Sequence, residues 1–472
     1  MTLNKKIAHN TIIHLTGKFI SLILSLVAVA MMTRYLGKEG FGYYITVTAF
    51  LQFFGILADF GLTLTTVQMI SRPGIDLSRV MNSIMSFRII TAIGFLALAP
   101  ILIWFFPYNI FIKLGVLITV ASFFSITIIQ TLTGVFQQKM KMFKLTLAEV
   151  LGRIVFVALI VLAVWLGKDI YWVFGALTVG SVLNLIIVFL FSREHIKWQW
   201  QVDLNIWKEL IKRTWPIALS ISFNLIYLKM DTIILSLFRS QGEVGLYGAT
   251  YRVVDILTML PAVFMGIVLP IASGYFIQKN FVELKNILQK SFDALIIFAV
   301  PIVTGTMIIA GKVMVFVAGE DFALSGDILK VLILASGAIF ATSLFSYAVV
   351  AVDRQKSMMW GYLTAAVLTL IGYFVFIPKF GYWGAAWMTV FSEILILCWT
   401  AILIYRAIKF FPSLKTFARA IPAALIMAGV IYFLRSWHVM ILLVISVVVY
   451  FSFLYLFGGI KRQEIQELIK LK

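Results

Sequence analysis

Charge is what this sequence has least of. Only 12% of its 472 residues are Asp, Glu, Lys or Arg, against 62% hydrophobic ones. A soluble domain carries about a quarter charged residues, and a soluble chain of this length wraps its apolar cores in polar shells. There is too little polar material here for that, so water is excluded as the main solvent and lipid remains. Cysteine is nearly absent as well. Cys398 stands alone, which excludes an intramolecular disulfide and a thiolate metal cluster. The four histidines, His9, His14, His195 and His438, are scattered without the spacing of a zinc site. No Gly-rich loop followed by Lys and Ser or Thr occurs, which argues against direct ATP hydrolysis. Neither an enzyme activity nor a cofactor nor a metal site is expected.

Acids are the scarcer sign, 20 against 39 Lys and Arg, for a formal charge of +19. Such an excess suits nucleic acid in a soluble protein, but here the cations fill short gaps between apolar runs, and no basic recognition helix or Gly-aromatic motif appears. A helix needs about 20 apolar residues to cross the hydrocarbon core. That criterion predicts about fourteen spans, from 11–33 and 40–62 to 417–434 and 438–459. Ala28-Val29-Ala30 has the small residues of a signal cleavage site, yet the run before it exceeds a signal core of about 7–15 residues, so 11–33 reads as a retained span. With the N-terminus inside, the inner gaps hold 25 cations and the outer ones nine. That bias places both termini in the cytoplasm. The longest polar gap, 192–213, carries Trp198, Trp200 and Trp207 among basic residues and is expected along the cytoplasmic interface.

That gap divides the chain into related halves. Arg34-Tyr-Leu-Gly-Lys-Glu-Gly-Phe-Gly42-Tyr-Tyr44 and Phe238-Arg-Ser-Gln-Gly-Glu-Val-Gly245-Leu-Tyr247 are both short turns ending in Gly-x-Tyr. Six spans lie between the copies, so they share one orientation and predict a parallel repeat. The expected architecture is all-α and polytopic: an N-terminal lobe over 1–192, a cytoplasmic interfacial linker over 193–213, a C-terminal lobe over 214–410, and two further helices with a cytoplasmic tail over 411–472. Two six-helix lobes around a central cavity, rocking to alternate access, are the usual product of such a repeat.

Several of these residues carry a family resemblance. Asn10, Gly17-Lys18, Arg34-Tyr35-Leu36-Gly37, Gly40-x-Gly42-x-Tyr44 and Ala58-Asp59-Phe60-Gly61-Leu62 fall in the first half, and Trp215-Pro216, Asp231, Gly245-x-Tyr247, Tyr251-Arg252 and Leu269-Pro270 in the second. Over about the first 400 residues the chain resembles the polysaccharide transporters, the Wzx-like oligosaccharide flippases of the multidrug/oligosaccharidyl-lipid/polysaccharide (MOP) flippase superfamily. The resemblance implies a flippase for a polyprenyl-pyrophosphate-linked oligosaccharide, such as an O-antigen or other surface-polysaccharide unit bound for lipopolysaccharide, in a bacterial inner membrane. It implies as neighbours in that work a polysaccharide polymerase and glycosyltransferases. Lipid II flippases are relatives with an Arg early in the eighth span, where Arg252 stands here; the spacing to the later Pro and Gly residues departs from theirs, so a peptidoglycan precursor is not carried over.

Charges within the spans are the informative residues, since each costs several kcal/mol unless paired or wetted. The cations Lys18, Arg88, Arg153, Lys229 and Arg252 are the candidate substrate-binding set, because Arg and Lys suit a pyrophosphate. The acids Asp59, Glu149, Asp231, Asp255 and Glu393 are candidates for coupling to H+ or Na+. Structural alternatives stand beside each. Lys18 can snorkel to the membrane surface, and Arg88 lies near enough to reach it. Glu149 and Arg153 have the spacing of a helical ion pair, as do Arg252 and Asp255. Asp59 can simply end its helix. Lys229 and Asp231 lie deepest. The partners expected are the lipid-linked glycan, membrane lipids and a coupling ion; a monomer is expected, with no nucleic acid. The rival readings are a cation-coupled multidrug exporter, favouring acids and aromatics, and a membrane glycan ligase or acyltransferase, which needs a large outer loop that is lacking.

Overall fold

The computed structural model describes residues 3–72 and 74–459, with the side chains of 3–15, 216–217, 219–221 and 225 outside the description. Lys461, Arg462, Lys470 and Lys472 therefore lie outside the described residues, as do the side chains of Lys5, Lys6, Asn10 and Pro216. Among those residues every regular element is helical: α1 (Leu3–Asp59), α2 (Leu62–Ile70), α3 (Leu77–Leu102), α4 (Ile110–Gln138), α5 (Met142–Trp165), α6 (Ile170–Ser192), α7 (Leu204–Phe238), α8 (Gln241–Ile277), α9 (Phe281–Ala318), α10 (Ser325–Ala351), α11 (Gln355–Phe380), α12 (Tyr382–Ile408), α13 (Lys415–Phe433) and α14 (Val439–Leu456). Lipid offers the backbone no hydrogen bonds, so a chain this apolar has to satisfy them within helices.

Twelve helical stretches are long and apolar enough to cross a membrane, and the first, Thr16–Ile70, is long enough to do so twice. Counting it as two and adding α7, 35 residues long, gives the fourteen passes expected. The protein is a multi-pass α-helical membrane protein. The two passes of α1 meet at Gly37, whose φ of 65° is the left-handed conformation that glycine adopts without steric cost. This is the glycine of Arg34-Tyr-Leu-Gly37. Tyr35 of the same motif donates its hydroxyl to Lys168 O at 2.8 Å, fastening the turn to the α5–α6 connection.

Two boundaries differ from the expectation. The second span breaks at Phe60 (φ 45°) and Gly61 (φ 75°) and resumes as α2, so Asp-Phe-Gly-Leu is a helix break inside a longer pass. The polar gap is also shorter than expected. Asp203 accepts from the backbone N–H groups of Asn205 and Ile206 and starts α7 at Leu204, which leaves a turn over 193–195 and an extended segment over 196–203 before it.

By spatial proximity the chain forms two compact units, Met1–Gly248 and Ala249–Lys472. In the first, α4 and α5 pack on α6, and α1 packs on both α4 and α5. In the second, α10 and α11 pack on α12, α9 lies against α10, and α13 and α14 are added on α9. α7 is fastened within the first unit by the Tyr108–Ser236 hydroxyl contact at 2.7 Å and by Thr214 Oγ1 donating to Thr65 Oγ1 at 3.1 Å.

Candidate functional site

The first unit encloses a cavity of about 370 Å³ among α1, α4, α5 and α6. Three residues singled out for their charge meet there: Lys18 of α1 with Glu149 and Arg153 of α5. Close helix crossings bring them together. A Cβ placed on Gly17 would lie 1.7 Å from Thr146 Cγ2, so only glycine lets α1 approach α5 at this level. On the other flank α5 and α6 cross at Gly152 and Gly180, where a Cβ on Gly152 would fall 2.7 Å from Gly180 O. Without Gly17 the helices that carry the two cations would stand farther apart, and without Gly152 and Gly180 α6 would draw away from α5.

Glu149 and Arg153 are half-buried, and Lys18 is exposed. The ion pair their spacing predicts is not formed. Among the described residues neither Lys18 nor Arg153 meets a carboxylate within ion-pair distance. Between apolar residues such as Ile126, Leu145 and Phe156, uncharged polar side chains share the lining, namely Gln130, Thr133 and Gln137 of α4 and Ser181 and Asn184 of α6. Sequence reasoning passed over these, although Gln130, Thr133 and Gln137 recur at helical spacing along one face of an otherwise apolar span. Asn184 Oδ1 is buried with no hydrogen-bond partner among the described residues. Two uncommitted cations with amides and hydroxyls around them form a set that can grip an oxyanion through charge-assisted hydrogen bonds and meet sugar hydroxyls beside it.

Arg88 does not belong to this set, which corrects the expectation. It is 0% exposed and all its nitrogens are committed. Nε and Nη2 donate to Thr127 O at 3.1 and 3.0 Å, Nη1 to Ala58 O at 2.9 Å, and Nη2 to Gln130 Oε1 at 3.2 Å. Asp59 Oδ1 lies 3.0 Å from Nη2 and also accepts from Thr63 Oγ1. The arginine closes the C-terminal end of α1, where carbonyls lack their helical partners and a cation is favoured. Asp59 is likewise a structural partner in this arrangement. Through Gln130, a lining residue, Arg88 touches the cavity wall but not its contents.

The remaining candidates lie elsewhere. Lys229, half-buried, and Asp231, fully buried, are on α7; Asp231 accepts from the Tyr247 hydroxyl at 2.7 Å. Arg252 and Asp255 are on α8 in the second unit, half-buried and exposed respectively. Glu393 of α12 is 3% exposed within the second unit.

Comparison with known proteins agrees with this architecture. The model of a family described as polysaccharide biosynthesis protein matches residues 7–276. A Shigella dysenteriae protein described as "Putative O-antigen transporter" is 22% identical over 376 residues, which cover 77% of this chain and 91% of that one. Among solved structures, the lipid II flippase MurJ in an inward closed conformation superposes with a TM-score of 0.79 at 19% identity, over 94% of this chain and 98% of its own. An inward-facing multidrug resistance MATE family transporter of the MOP superfamily gives 0.66 at 14% identity, over 84% and 99%. These structural likenesses show the MOP flippase fold, and the sequence match shows the lineage: the chain belongs to the polysaccharide biosynthesis protein family.

Proposed function

We propose that this protein is a flippase that carries a polyprenyl-pyrophosphate-linked oligosaccharide across a bacterial cytoplasmic membrane, with both termini cytoplasmic and its binding cavity exposed to the two sides in turn. The observation that supports this best is the meeting of Lys18 and Arg153, without an ion-pair partner among the described residues, in a cavity with polar side chains inside a membrane-spanning unit. Two cations there face a single carboxylate, Glu149; a charge in a membrane span costs several kcal/mol unless paired or wetted, and an incoming pyrophosphate offsets the excess positive charge. Lys18 and Arg153 take the phosphate oxygens, while Gln137, Ser181 and Asn184 meet the sugar nearest to them. Lys229 and Arg252 are proposed as further anion contacts along the route. A membrane potential positive outside favours outward movement of an uncompensated anion by about 2.3 kcal/mol per charge per 100 mV. Where an ion is exchanged instead, Glu149, Asp231, Asp255 and Glu393 are the acids available to carry it. The repeat halves 1–192 and 214–410 are the proposed moving lobes, and 411–472 an addition to them.

Binding of a polyprenyl diphosphate to the purified protein, with the monophosphate as control, tests the reading. Lys18→Gln and Arg153→Gln should each weaken diphosphate binding by about tenfold or more, since hydrogen bonds to charged groups are worth about 1.5–3 kcal/mol. Unchanged affinity in correctly folded variants refutes the cavity assignment. Glu149 gives the exporter reading its one foothold, a carboxylate in the same cavity. Glu149-dependent binding of a lipophilic cationic dye, in preference to the diphosphate, would favour that alternative.

A further inference from the structure

The chain between α6 and α7 is extended, yet its hydrogen bonds come from a helix. Asn82 of α3 donates through Nδ2 to Lys197 O at 2.9 Å and accepts at Oδ1 from Gln199 N at 3.3 Å. Ser86 Oγ accepts from Gln201 N at 3.2 Å, and Ser83 Oγ from Asp203 N at 3.3 Å. Trp207 Nε1 then donates to Ser83 O at 3.0 Å. Strands ordinarily take such bonds from a neighbouring strand at every second residue; here three buried polar side chains on α3 stand in for one. Ile196 plugs the lower end among Ile70, Met81 and Val135, and Trp198 stacks on Phe189.

Fixing the backbone this way fixes what alternate residues present. Trp200, Val202 and Leu204 are 63, 51 and 64% exposed, a row of large apolar side chains without protein cover. The acids nearby are already engaged: Glu194 with Lys144, Asp203 with Arg79, and Glu209 with Arg72 and Arg213. Lys197, Lys208 and Lys212 are exposed and have no acidic partner among the described residues. The surface thus pairs an apolar row with uncommitted ammonium groups at the end of membrane-spanning helices. That is the chemistry of the zone where acyl chains meet anionic headgroups, the apolar groups entering the boundary and the lysines staying at phosphate level.

We propose that the segment from Lys197 to Lys212 is a docking surface for anionic phospholipid headgroups, with Trp200, Val202 and Leu204 seated in the bilayer interface. The proposal does not depend on the flippase reading. Its test uses the full chain with Cys398→Ser, singly spin-labelled at positions 199 to 204, in vesicles of phosphatidylethanolamine with phosphatidylglycerol. Labels at 200, 202 and 204 should be reached by oxygen more readily than by a water-soluble nickel chelate, and labels at 199, 201 and 203 should not. In parallel, the combined Lys197→Gln, Lys208→Gln and Lys212→Gln variant should lose its preference for retaining phosphatidylglycerol over phosphatidylethanolamine by about tenfold or more, with its melting temperature unchanged. Free access of the chelate to 200, 202 and 204 overturns the proposal and leaves the face to a water-soluble protein. So does an unchanged lipid preference in the lysine variant.

Discussion

Gly42 and Gly245 each press against the backbone of the other's turn. A Cβ on Gly42 would lie 1.8 Å from Gln241 O, and one on Gly245 would lie 1.9 Å from Lys38 O. The two copies of the repeated Gly-x-Tyr turn are therefore packed face to face, with Thr46 Oγ1 donating to Gln241 Oε1 at 2.7 Å beside them. Backbone cannot swing aside as a side chain can. Gly42→Ala and Gly245→Ala should each destabilise the protein by about 1–3 kcal/mol or more, visible as a lower melting temperature in detergent. An unchanged melting temperature in either variant would show that the contact is looser than described.

The Arg88–Asp59 pair predicts an asymmetric result. Removing one member of a buried pair costs about 3–5 kcal/mol because it strands the other's charge. Asp59→Asn strands a guanidinium that is 0% exposed, whereas Arg88→Met strands a carboxylate that retains 15% side-chain exposure. The aspartate variant should therefore melt lower than the arginine variant. The Asp59→Asn/Arg88→Met double variant should lose less stability than the two single losses added together. Strict additivity in that cycle would mean the pair carries no coupling.

Gly17 and Thr146 predict a rescue. Gly17→Ala drives its new methyl into Thr146 Cγ2 and should push α1 away from α5, weakening diphosphate binding at Lys18 and Arg153. Thr146→Ser removes the offending carbon, so the double variant should recover most of the affinity lost. Failure of Thr146→Ser to restore any binding would separate the crossing from the cavity's shape.

How much of this was legible beforehand follows from how local each signal is. Spans could be read directly because bilayer thickness and backbone satisfaction dictate their length. The Arg34-Tyr-Leu-Gly37 turn and the Asp59-Phe-Gly61 break were visible as motifs, but the left-handed glycines that explain them appear only in the fold. Glu149 and Arg153 looked like a self-contained pair because spacing within one helix cannot reveal Lys18, which arrives from more than a hundred residues upstream. Arg88 misled for the same reason: its acceptors, Ala58 and Thr127, lie 30 and 39 residues away. Gln130 and Asn184 went unremarked because an uncharged amide carries no cost large enough to stand out.

Acidity should loosen the region around the α6–α7 connection in two stages. Burial, assisted by Lys141, lowers the pKa of His195 below the ordinary value of 6.5. The unfolded chain thus binds the proton more readily, and stability present above about pH 6.5 is lost as pH falls through the lowered folded value. Glu194, Asp203 and Glu209 are lowered by hydrogen bonds from Lys144, Arg79 and Arg72. Their contribution holds above about pH 4 and disappears below it. Melting temperature should therefore fall between pH 7.5 and 5.5 in the native protein and stay flatter in His195→Gln. An equally steep fall in that variant assigns the first stage to another group.

Arg88 also bears on how the protein is made. A guanidinium at the centre of a helix opposes entry into the bilayer by about 2.5–3.5 kcal/mol, and α3 carries it. One of its four hydrogen bonds goes to α1, already synthesised, but the other three go to Thr127 and Gln130 of α4, which emerges from the ribosome afterwards. Its counter-charge, Asp59, is also on α1, so what the third helix still lacks on emerging is the neutral acceptors of α4. The guanidinium is fully satisfied only when α3 lies between the end of α1 and α4, so membrane integration at this point settles three helices together rather than one at a time.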